Sequence, residues 1–251
     1  MTQAPVSAGR RSAIVVPDLA AVVEAATKRI VARIAQAPGR IAICLTGGST
    51  PKPVYRRLAE EPYRSTVPWE RIHWFWGDDR FVPLEDERSN AGMACAAFLD
   101  HLPIPADNIH VMPTQLRDPH EAARHYEDDL KSFYGSARLD PRKPLFDMVL
   151  MGLGSDGHTA SLFPHGEGLD ERQRWVVGVN EAKLAPFVPR VTLTFPALAS
   201  TREMLFLMTG AEKRPMVARV FAGDDLPATH AYSEGPQVWL MDEAAAPDSV
   251  R

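Results

Sequence analysis

The order of apolar and polar positions predicts a helix near the start of the chain and buried strands after it. Between residues 18 and 36, apolar residues recur at spacings of three and four, which places them on one face of a helix. Pro38 and Gly39 then end that helix. Residues 41–45 are continuously apolar, which is typical of a strand buried on both faces of a parallel sheet. Six further runs predict strands of the same kind: 72–76, 146–153, 175–179, 191–195, 204–208 and 238–241.

Helical patterns alternate with these apolar runs. The spacing of apolar residues predicts further helices at about 51–60, 89–99, 119–133 and 211–222. Strands that alternate with helices indicate an open α/β sheet with helices on both faces. The Pro-rich and charged segment 136–145 is interpreted as a surface loop, because the strand pattern resumes directly after it. We therefore expect a single α/β domain over residues 1–251.

Composition and charge narrow the class of protein. Apolar residues make up 45% and charged residues 24% of the 251 residues, which is ordinary globular usage. The formal charge of −4 argues against nucleic acid or an anionic membrane as the partner. Residues 1–11 hold no hydrophobic leader, and no apolar run is long enough to span a bilayer. Cys44 and Cys95 form no metal or redox motif and are expected to be buried thiols, so we predict a cytoplasmic protein.

Residues that directly follow a strand are the candidates for chemistry, because ligands bind at the carboxyl ends of parallel strands. Residues 46–51 read Thr-Gly-Gly-Ser-Thr-Pro between a predicted strand and a predicted helix. Gly47 and Gly48 allow a tight turn, and Ser49 or Thr50 can cap the helix. The free N–H groups of such a helix start suit an anion, above all phosphate. The loop lacks the Gly-Lys-Ser/Thr ending of a nucleotide-binding P-loop, and a plain capped turn is the alternative.

A second polar segment follows the strand at 72–76. Asp78, Asp79 and Arg80 place two carboxylates and a guanidinium at the end of that strand. The fork of an arginine suits a phosphate or a carboxylate, so these residues can form a polar site. A solvated turn with a local Asp–Arg pair is the alternative interpretation.

The segment 152–164 is the most informative one, and it reads Gly-Leu-Gly-Ser-Asp-Gly-His-Thr-Ala-Ser-Leu-Phe-Pro. Its glycines match the dinucleotide pattern G-x-G-x-x-G, but Pro164 shortens any following helix and no ribose-binding acid ends a second strand, so we reject a nucleotide site. His158 can act as a general base, with Asp156 as its orienting or charge partner. A metal pair of His158 and His165 with Asp156, and a purely structural turn, are the alternatives. No Gly-x-Ser-x-Gly elbow supports a serine hydrolase.

Two cations complete the set of candidates. Lys213 falls in the first turn of a predicted helix, where the helix dipole favours acids, and a bound anion facing Lys213 would resolve this conflict. A solvated lysine is the alternative. Arg190, beside the strand predicted at 191–195, is a weaker candidate for the same anion.

Several of these segments together resemble those of 6-phosphogluconolactonases in order and spacing. The resemblance covers about residues 12–242 and rests on 45–51, 76–83 with Ser89 and Asn90, 152–164, 190–196 and Lys213. The run Asp-Gly-His-Thr-Ala-Ser-Leu-Phe-Pro is its most specific part. One departure is visible, because the family commonly has Asp-Glu-Arg where this chain has Asp78, Asp79 and Arg80. That departure leaves the role of Asp79 open.

The resemblance implies hydrolysis of 6-phospho-D-glucono-1,5-lactone to 6-phospho-D-gluconate, the second step of the oxidative pentose phosphate pathway, without metal or organic cofactor. It implies a Rossmann-like three-layer α/β/α sandwich with a mostly parallel sheet, the fold shared with glucosamine-6-phosphate deaminase and ribose-5-phosphate isomerase. His158 and Asp156 fit the activation of water, and backbone N–H groups around Gly48 or 154–157 fit an oxyanion. The candidates for binding the substrate and its phosphate are Gly47, Gly48, Ser49, Thr50, Asp79, Arg80, Arg190 and Lys213.

Two other functions are weighed against this expectation. The amino-sugar-phosphate deaminases of the same fold continue the motif as Asp-Gly-His-Ile-Ala-Phe-Asn-Glu-Pro, whereas residues 161–164 here contain no acid. A sugar-phosphate sensor of a transcription regulator would need a DNA-binding module, and the residues before the first helix are too few to hold one. We expect a monomer or a small homo-oligomer that acts on a small-molecule substrate.

Overall fold

The computed structural model describes residues 11–250, which form two β-sheets and the helices that pack against them. The strands are β1 (Arg11–Val16), β2 (Ile41–Leu45), β3 (Ile72–Trp76), β4 (Asp78–Arg80), β5 (Met148–Met151), β6 (Val176–Val179), β7 (Arg190–Leu193), β8 (Met204–Met208) and β9 (Gln237–Asp242). Six of them form a sheet in the order β1-β9-β8-β5-β2-β3, and every neighbouring pair in it is parallel. The α/β class is thereby confirmed.

The central sheet agrees with the apolar runs of the sequence in most places. β2, β3 and β8 have the predicted bounds, β9 extends one residue further at each end, and β5 is shorter than the run at 146–153. β1 was not predicted. It lies at the edge of the sheet, its positions are exposed or only partly buried, and its apolar run at 13–16 is only four residues long.

The second sheet corrects part of the sequence interpretation. Its three strands follow the order β4-β7-β6 and are antiparallel, although the runs at 175–179 and 191–195 were predicted as further strands of the parallel sheet. β6 and β7 are almost completely buried, so their composition resembles that of parallel strands. The last residue of the run, Phe195, begins a helix instead.

Eight α-helices occur in the described chain, and the longer ones were predicted. They are α1 (Leu19–Gln36), α2 (Pro51–Leu58), α3 (Tyr63–Thr66), α4 (Asn90–Ala97), α5 (Pro119–Tyr134), α6 (Phe195–Ala199), α7 (Arg214–Ala222) and α8 (Pro227–His230). The Asp18 side chain accepts from the N–H of Ala21 at the start of α1, and Asp118 caps α5 in the same way. The four-residue and five-residue helices α3, α6 and α8 are too short to show a periodic pattern in the sequence.

One hydrophobic core joins both sheets to the longer helices. It contains residues of β2, β3, β5, β8 and β9 together with Val176, Val191 and Leu193 of the small sheet. Segment 136–145 forms neither helix nor strand, as expected for a surface loop. Cys44 is a buried thiol as predicted, whereas Cys95 is only half-buried.

No helix within residues 11–250 is both long enough and apolar enough to cross a membrane. Residues 1–10, for which the sequence predicts neither a leader nor a DNA-binding module, lie outside the described residues.

Candidate active site

A cavity of about 310 Å³ lies at the carboxyl ends of β2, β5 and β8, where the topology of a parallel sheet favours ligand binding. Eight of the ten candidate residues line it: Gly47, Gly48, Ser49, Thr50, Arg80, His158, Arg190 and Lys213. The other two, Asp79 and Asp156, lie outside the lining, but each forms a hydrogen bond to one of its residues. The fold therefore brings segments from distant parts of the chain to one cavity.

The loop after β2 presents its backbone to this cavity. Tyr55 fixes the start of the loop, because its hydroxyl donates to the Thr46 carbonyl at 2.7 Å and accepts from the Thr46 N–H at 3.0 Å. The N–H groups of Gly47, Gly48 and Ser49 have no acceptor among residues 11–250. Gly48 has φ +115°, a conformation that favours glycine. Free N–H groups in such a loop suit an anion.

Gly47 is required for a different reason, and the expected helix cap is absent. A Cβ at position 47 would lie 1.8 Å from Asn90 Oδ1, so only glycine allows this close approach. Neither Ser49 nor Thr50 caps α2 with its side chain, contrary to the prediction. Thr50 is the N-cap residue but has a helical backbone, which turns its hydroxyl away from the free N–H groups and towards Thr209 Oγ1 at 2.8 Å.

His158 and Asp156 form a hydrogen-bonded pair at the end of β5. His158 Nδ1 lies 2.5 Å from Asp156 Oδ1, and the same oxygen accepts from the backbone N–H of His158 at 3.1 Å. An ionised carboxylate only accepts, so Nδ1 holds the proton and Nε2 has the free lone pair. Burial raises the pKa of Asp156, but the hydrogen bond and charge of His158 outweigh burial, and the pKa of Asp156 lies below its ordinary value.

A glycine turn holds this pair in place. The Gly154 N–H donates to the His158 carbonyl at 2.8 Å, and the Gly157 N–H donates to the Gly154 carbonyl at 3.1 Å. A Cβ at position 154 would lie 2.0 Å from His158 Nδ1 and 2.8 Å from Asp156 Oδ1. The imidazole can therefore occupy its position only because residue 154 has no side chain.

The metal alternative for His158 finds no support in the geometry. His165 is exposed and lies outside the cavity lining. No group of three or more His, Cys, Asp or Glu side chains within residues 11–250 is arranged to hold a metal ion.

The small antiparallel sheet contributes two guanidiniums to the cavity. β4 and β7 pair Arg80 directly with Arg190, and both residues line the cavity. Like charges on opposite strand positions destabilise a sheet unless an anion lies near them. Burial lowers the pKa of Arg190, and the charge of Arg80 lowers it further, although Asp78 acts in the opposite direction. Two guanidiniums at this position can bind an anionic group.

Other residues hold both guanidiniums. Arg80 Nη1 donates to the carbonyl of Arg88 at 2.6 Å and to Asn90 Oδ1 at 2.8 Å. Arg190 donates to the carbonyls of Pro186 at 2.7 Å and Val188 at 3.1 Å. The Nε of Arg80 is buried and has no partner among the described residues, so this donor of the guanidinium is still unused.

Asp79 lies on the opposite face of β4, because successive side chains of a strand alternate between faces. The residue is 2% exposed, and its carboxylate accepts from the N–H groups of Arg80, Asn90 and Ala91 and from the Ser89 hydroxyl. Burial raises the pKa of Asp79 to about 6 against the opposite effect of the backbone hydrogen bonds from Asn90, Ala91 and Arg80. Asp79 thus connects β4 to the start of α4 and does not reach the cavity.

Lys213 closes another side of the cavity. Its Nζ donates to the Leu153 carbonyl at 2.7 Å. A single 3-10 turn begins after Gly210, which has φ +95°, and ends at Lys213, directly before α7. The N–H of Gly210 donates to the buried carboxylate of Asp242 at 3.1 Å. Asp242 therefore fixes the segment that brings Lys213 to the end of β5.

Comparison with known proteins assigns the family. The sequence model of the family described as glucosamine-6-phosphate isomerases/6-phosphogluconolactonase matches residues 17–239. The chain belongs to this family. It is 40% identical to a 6-phosphogluconolactonase of Nostoc sp. over 94% of this chain and 97% of that protein. It is 37% identical to a 6-phosphogluconolactonase of Mycobacterium tuberculosis over 92% of this chain and 95% of that protein.

Solved structures agree with this membership. The structure of 6-phosphogluconolactonase from Thermotoga maritima superposes with a TM-score of 0.81 at 30% identity and covers 93% of this chain and 100% of that one. A monomeric glucosamine-6-phosphate deaminase superposes with a TM-score of 0.78 at 20% identity, covering 96% of this chain and 100% of that one, which shows the shared fold alone. The predicted Rossmann-like sandwich of this family is thereby confirmed.

Several polar residues of the cavity lining were not among the site residues selected from the sequence, although Asp78 was named in the polar segment with Asp79 and Arg80. They are Thr46, Asp78, Asn90, Ser155, Thr159 and Ser161. A signal existed for Asp78, because the alternation of a strand at 78–80 places residues 78 and 80 on one face and residue 79 on the other. The three-residue strand contains no apolar run, so the sequence did not reveal that alternation.

Proposed function

We propose that this enzyme hydrolyses 6-phospho-D-glucono-1,5-lactone to 6-phospho-D-gluconate, the second step of the oxidative pentose phosphate pathway. The observation that carries the proposal is the pair of His158 and Asp156 in the lining of a cavity that also holds Arg80, Arg190 and Lys213. A general base beside a cluster of cations suits a phosphorylated ester. The names of the relatives support the same reaction.

In the proposed mechanism, His158 acts as the general base. Nε2 accepts a proton from water while the water oxygen attacks the lactone carbonyl carbon. The tetrahedral intermediate then collapses, the bond from that carbon to the ring oxygen breaks, and the imidazolium returns its proton to the departing oxygen. The product carboxylic acid ionises and releases one proton. Asp156 holds the tautomer that leaves Nε2 free and stabilises the transient positive charge.

Backbone N–H groups stabilise the oxyanion of that intermediate. The loop of Gly47, Gly48 and Ser49 offers N–H groups without an acceptor, and the turn at 154–157 is the second candidate. Fixed backbone dipoles need no reorganisation during the reaction, so they stabilise developing charge efficiently.

The phosphate lies between the guanidiniums of Arg80 and Arg190, with Lys213 as a third cation. The direct cross-strand pairing of the two arginines supports this arrangement, since a dianion offsets their mutual repulsion. Asp79 acts as a positioning residue in this scheme. Its carboxylate fixes the N–H of Arg80 and the start of α4, where Asn90 holds the Arg80 guanidinium.

A proton-release assay with freshly generated 6-phosphogluconolactone tests the proposal. The uncatalysed opening of the lactone is measured at the same pH and subtracted. Glucosamine 6-phosphate is assayed in parallel for release of ammonia, because a deaminase of the same fold would act on it. We expect catalysed opening of the lactone and no release of ammonia. Ammonia release without lactone opening would contradict the proposal.

A further inference from the structure

A single side-chain hydrogen bond holds the imidazole of His158, and that bond alone does not fix the ring. Nδ1 lies 2.5 Å from Asp156 Oδ1, and no other side chain among residues 11–250 forms a hydrogen bond with the imidazole. Gly154 lies beside the same Nδ1 edge of the ring. The ring could still tilt about the line that joins Nδ1 to Oδ1, which would move Nε2 away from the water that it activates. A contact elsewhere on the ring is needed to define the position of Nε2.

The aromatic ring of Phe163 supplies such a contact. Its centroid lies 4.7 Å from the centroid of the His158 imidazole, and the two ring planes are 44° apart. Phe163 lines the cavity but is only 2% exposed, so almost none of its surface is left for a substrate. The Phe163 ring therefore packs against the imidazole and the rest of the protein, and a rigid ring in that place restricts the tilt of its neighbour.

A small group of apolar side chains, separate from the main core, holds Phe163 in turn. It consists of Phe163, Val179 and Ala182, with Leu184 packed against them, and we call it the side cluster. The residue next to Phe163 in the chain, Leu162, belongs to the main core instead. A change within the side cluster should therefore affect the surroundings of the histidine more than the core that joins the two sheets.

The backbone on both sides of Phe163 is also fixed. Ala160 has φ +49° and His165 has φ +55°, a region that residues other than glycine enter at an energetic cost. The Gly166 N–H donates to the Phe163 carbonyl at 2.9 Å. Strained conformations persist where the surrounding structure imposes them, and these two flank the residue that returns to His158.

We propose that Phe163 is a positioning residue of the reaction: its ring, supported by the side cluster, orients the His158 imidazole so that Nε2 faces the water that attacks the lactone. This inference rests on the proposed function, because it takes His158 as the general base. It gives the side cluster a role in the rate of the reaction and none in the recognition of the phosphate.

The experiment places Phe163→Leu in two backgrounds, the wild-type enzyme and His158→Asn, with the uncatalysed rate subtracted. Leucine keeps an apolar side chain in the side cluster but removes the ring. In the wild-type background, we expect kcat to fall by about 10-fold and KM to change by less than about twofold, because a reacting group is displaced. In the His158→Asn background the base is absent, so the same substitution should change kcat by less than about twofold.

Two further variants sharpen the test. Leu162→Val is the matched control, because it shortens an adjacent buried side chain of the main core outside the cavity lining. It should lower stability and leave kcat and KM near the wild-type values. Val179→Ala removes a partner of Phe163 that also lies outside the lining. We expect it to lower kcat by about threefold in the wild-type background and to have no effect on kcat in His158→Asn. Should Phe163→Leu fail to fold, as judged by circular dichroism and thermal unfolding, Val179→Ala still tests the proposal in both backgrounds.

Three results would overturn the inference. The first is an equal fall of kcat in both backgrounds, which would mean that Phe163 acts without His158. The second is a higher KM with an unchanged kcat, which would make Phe163 a substrate contact. The third is an unchanged kcat and KM in the wild-type background. With an active wild-type enzyme, each of these results leaves the proposed function intact, whereas an inactive wild-type enzyme refutes both proposals.

Discussion

The two sheets contribute to the cavity in different ways. The parallel sheet contributes loops at the carboxyl ends of its strands: the free N–H groups after β2 and the histidine turn after β5. The antiparallel sheet contributes one face of its strands, on which Asp78, Arg80 and Arg190 stand. The loops therefore offer backbone N–H groups and the imidazole of His158, and the strand face offers fixed charges.

In the proposed mechanism, the loops and the strand face therefore act on different parts of the substrate. Groups on the loops would act on the carbonyl during the reaction, when charge develops on it. Charges on the strand face would act on the phosphate, whose charge is the same before and during the reaction. Changes to the loops should therefore lower kcat, and changes to the strand face should raise KM.

The largest effect is expected for His158→Asn. Asparagine keeps a polar side chain of moderate size in the turn but removes the base, so kcat should fall by about 10²-fold or more with KM little changed. Steady-state kinetics with the uncatalysed rate subtracted measures this change. His101→Asn, at an exposed position outside the cavity lining, is the matched control. A kcat near the wild-type value would make His158 structural and would direct attention to Asp156 as the base.

Gly154→Ala tests the same loop without removing a chemical group. The new Cβ would lie 2.0 Å from His158 Nδ1 and 2.1 Å from Cε1, so the imidazole must move. A displacement of about 1 Å costs up to about 10²-fold in rate, and we expect kcat to fall by about 10-fold or more while KM changes little. Gly39→Ala is the control, since nothing lies within 4 Å of a Cβ there. An unchanged kcat would show that the ring position does not matter for the reaction.

The histidine turn shows how far the sequence could lead. Its glycines, Asp156 and His158 were visible as a motif at the end of an apolar run, and the structure brings them to the cavity. The reason for glycine at position 154 was not visible, because the close approach of the imidazole depends on the path of the whole turn. The target of Lys213, the carbonyl of Leu153, was hidden for the same reason, since it depends on a contact between distant segments.

The strand face was much harder to predict from the sequence. β4 has three polar residues, and β6 and β7 are buried like parallel strands, so neither the antiparallel sheet nor its pairing partners could be recognised. All three residues 78–80 were therefore named as one polar segment, and Asp79 rather than Asp78 was selected with Arg80 as a substrate contact. In the structure the roles of the two carboxylates are the opposite of this selection. Because side chains alternate between the faces of a strand, Asp78 lines the cavity and Asp79 lies on the other face of β4.

Removal of a strand-face arginine should affect binding more than rate. For Arg190→Ala and Arg80→Ala, we expect KM for the phosphorylated lactone to rise by about 10-fold or more, because each loses a charge-assisted contact. KM for unphosphorylated gluconolactone should change little. Arg142→Ala, at a highly exposed arginine outside the cavity, is the matched control. Equal effects on both lactones would remove these arginines from the phosphate site, and a fall in kcat alone would contradict the separate roles of the loops and the strand face.

The last prediction concerns stability and uses the carboxylate behind the strand face. Burial raises the pKa of Asp79 to about 6, above the value of about 3.9 in an unfolded chain. Between these two values the folded protein binds the extra proton, so the free energy of unfolding should decrease as pH rises from about 4 to about 6 and then level off. Asp79→Asn cannot titrate. The free energy of unfolding of the wild type minus that of the variant should therefore decrease from about pH 4 to about pH 6. This difference should stay constant above about pH 7.

Urea unfolding at a series of pH values measures that difference, with Asp128→Asn at an exposed position of α5 as the matched control. The opposite slope is the contradicting result, and it has a clear physical meaning. It would show that the three backbone N–H groups and the Ser89 hydroxyl stabilise the ionised carboxylate more than burial destabilises it. The ionised Asp79 carboxylate would then stabilise the contact between β4 and α4. Asp79→Asn should in that case make Arg80 more mobile, raise KM and lower the free energy of unfolding.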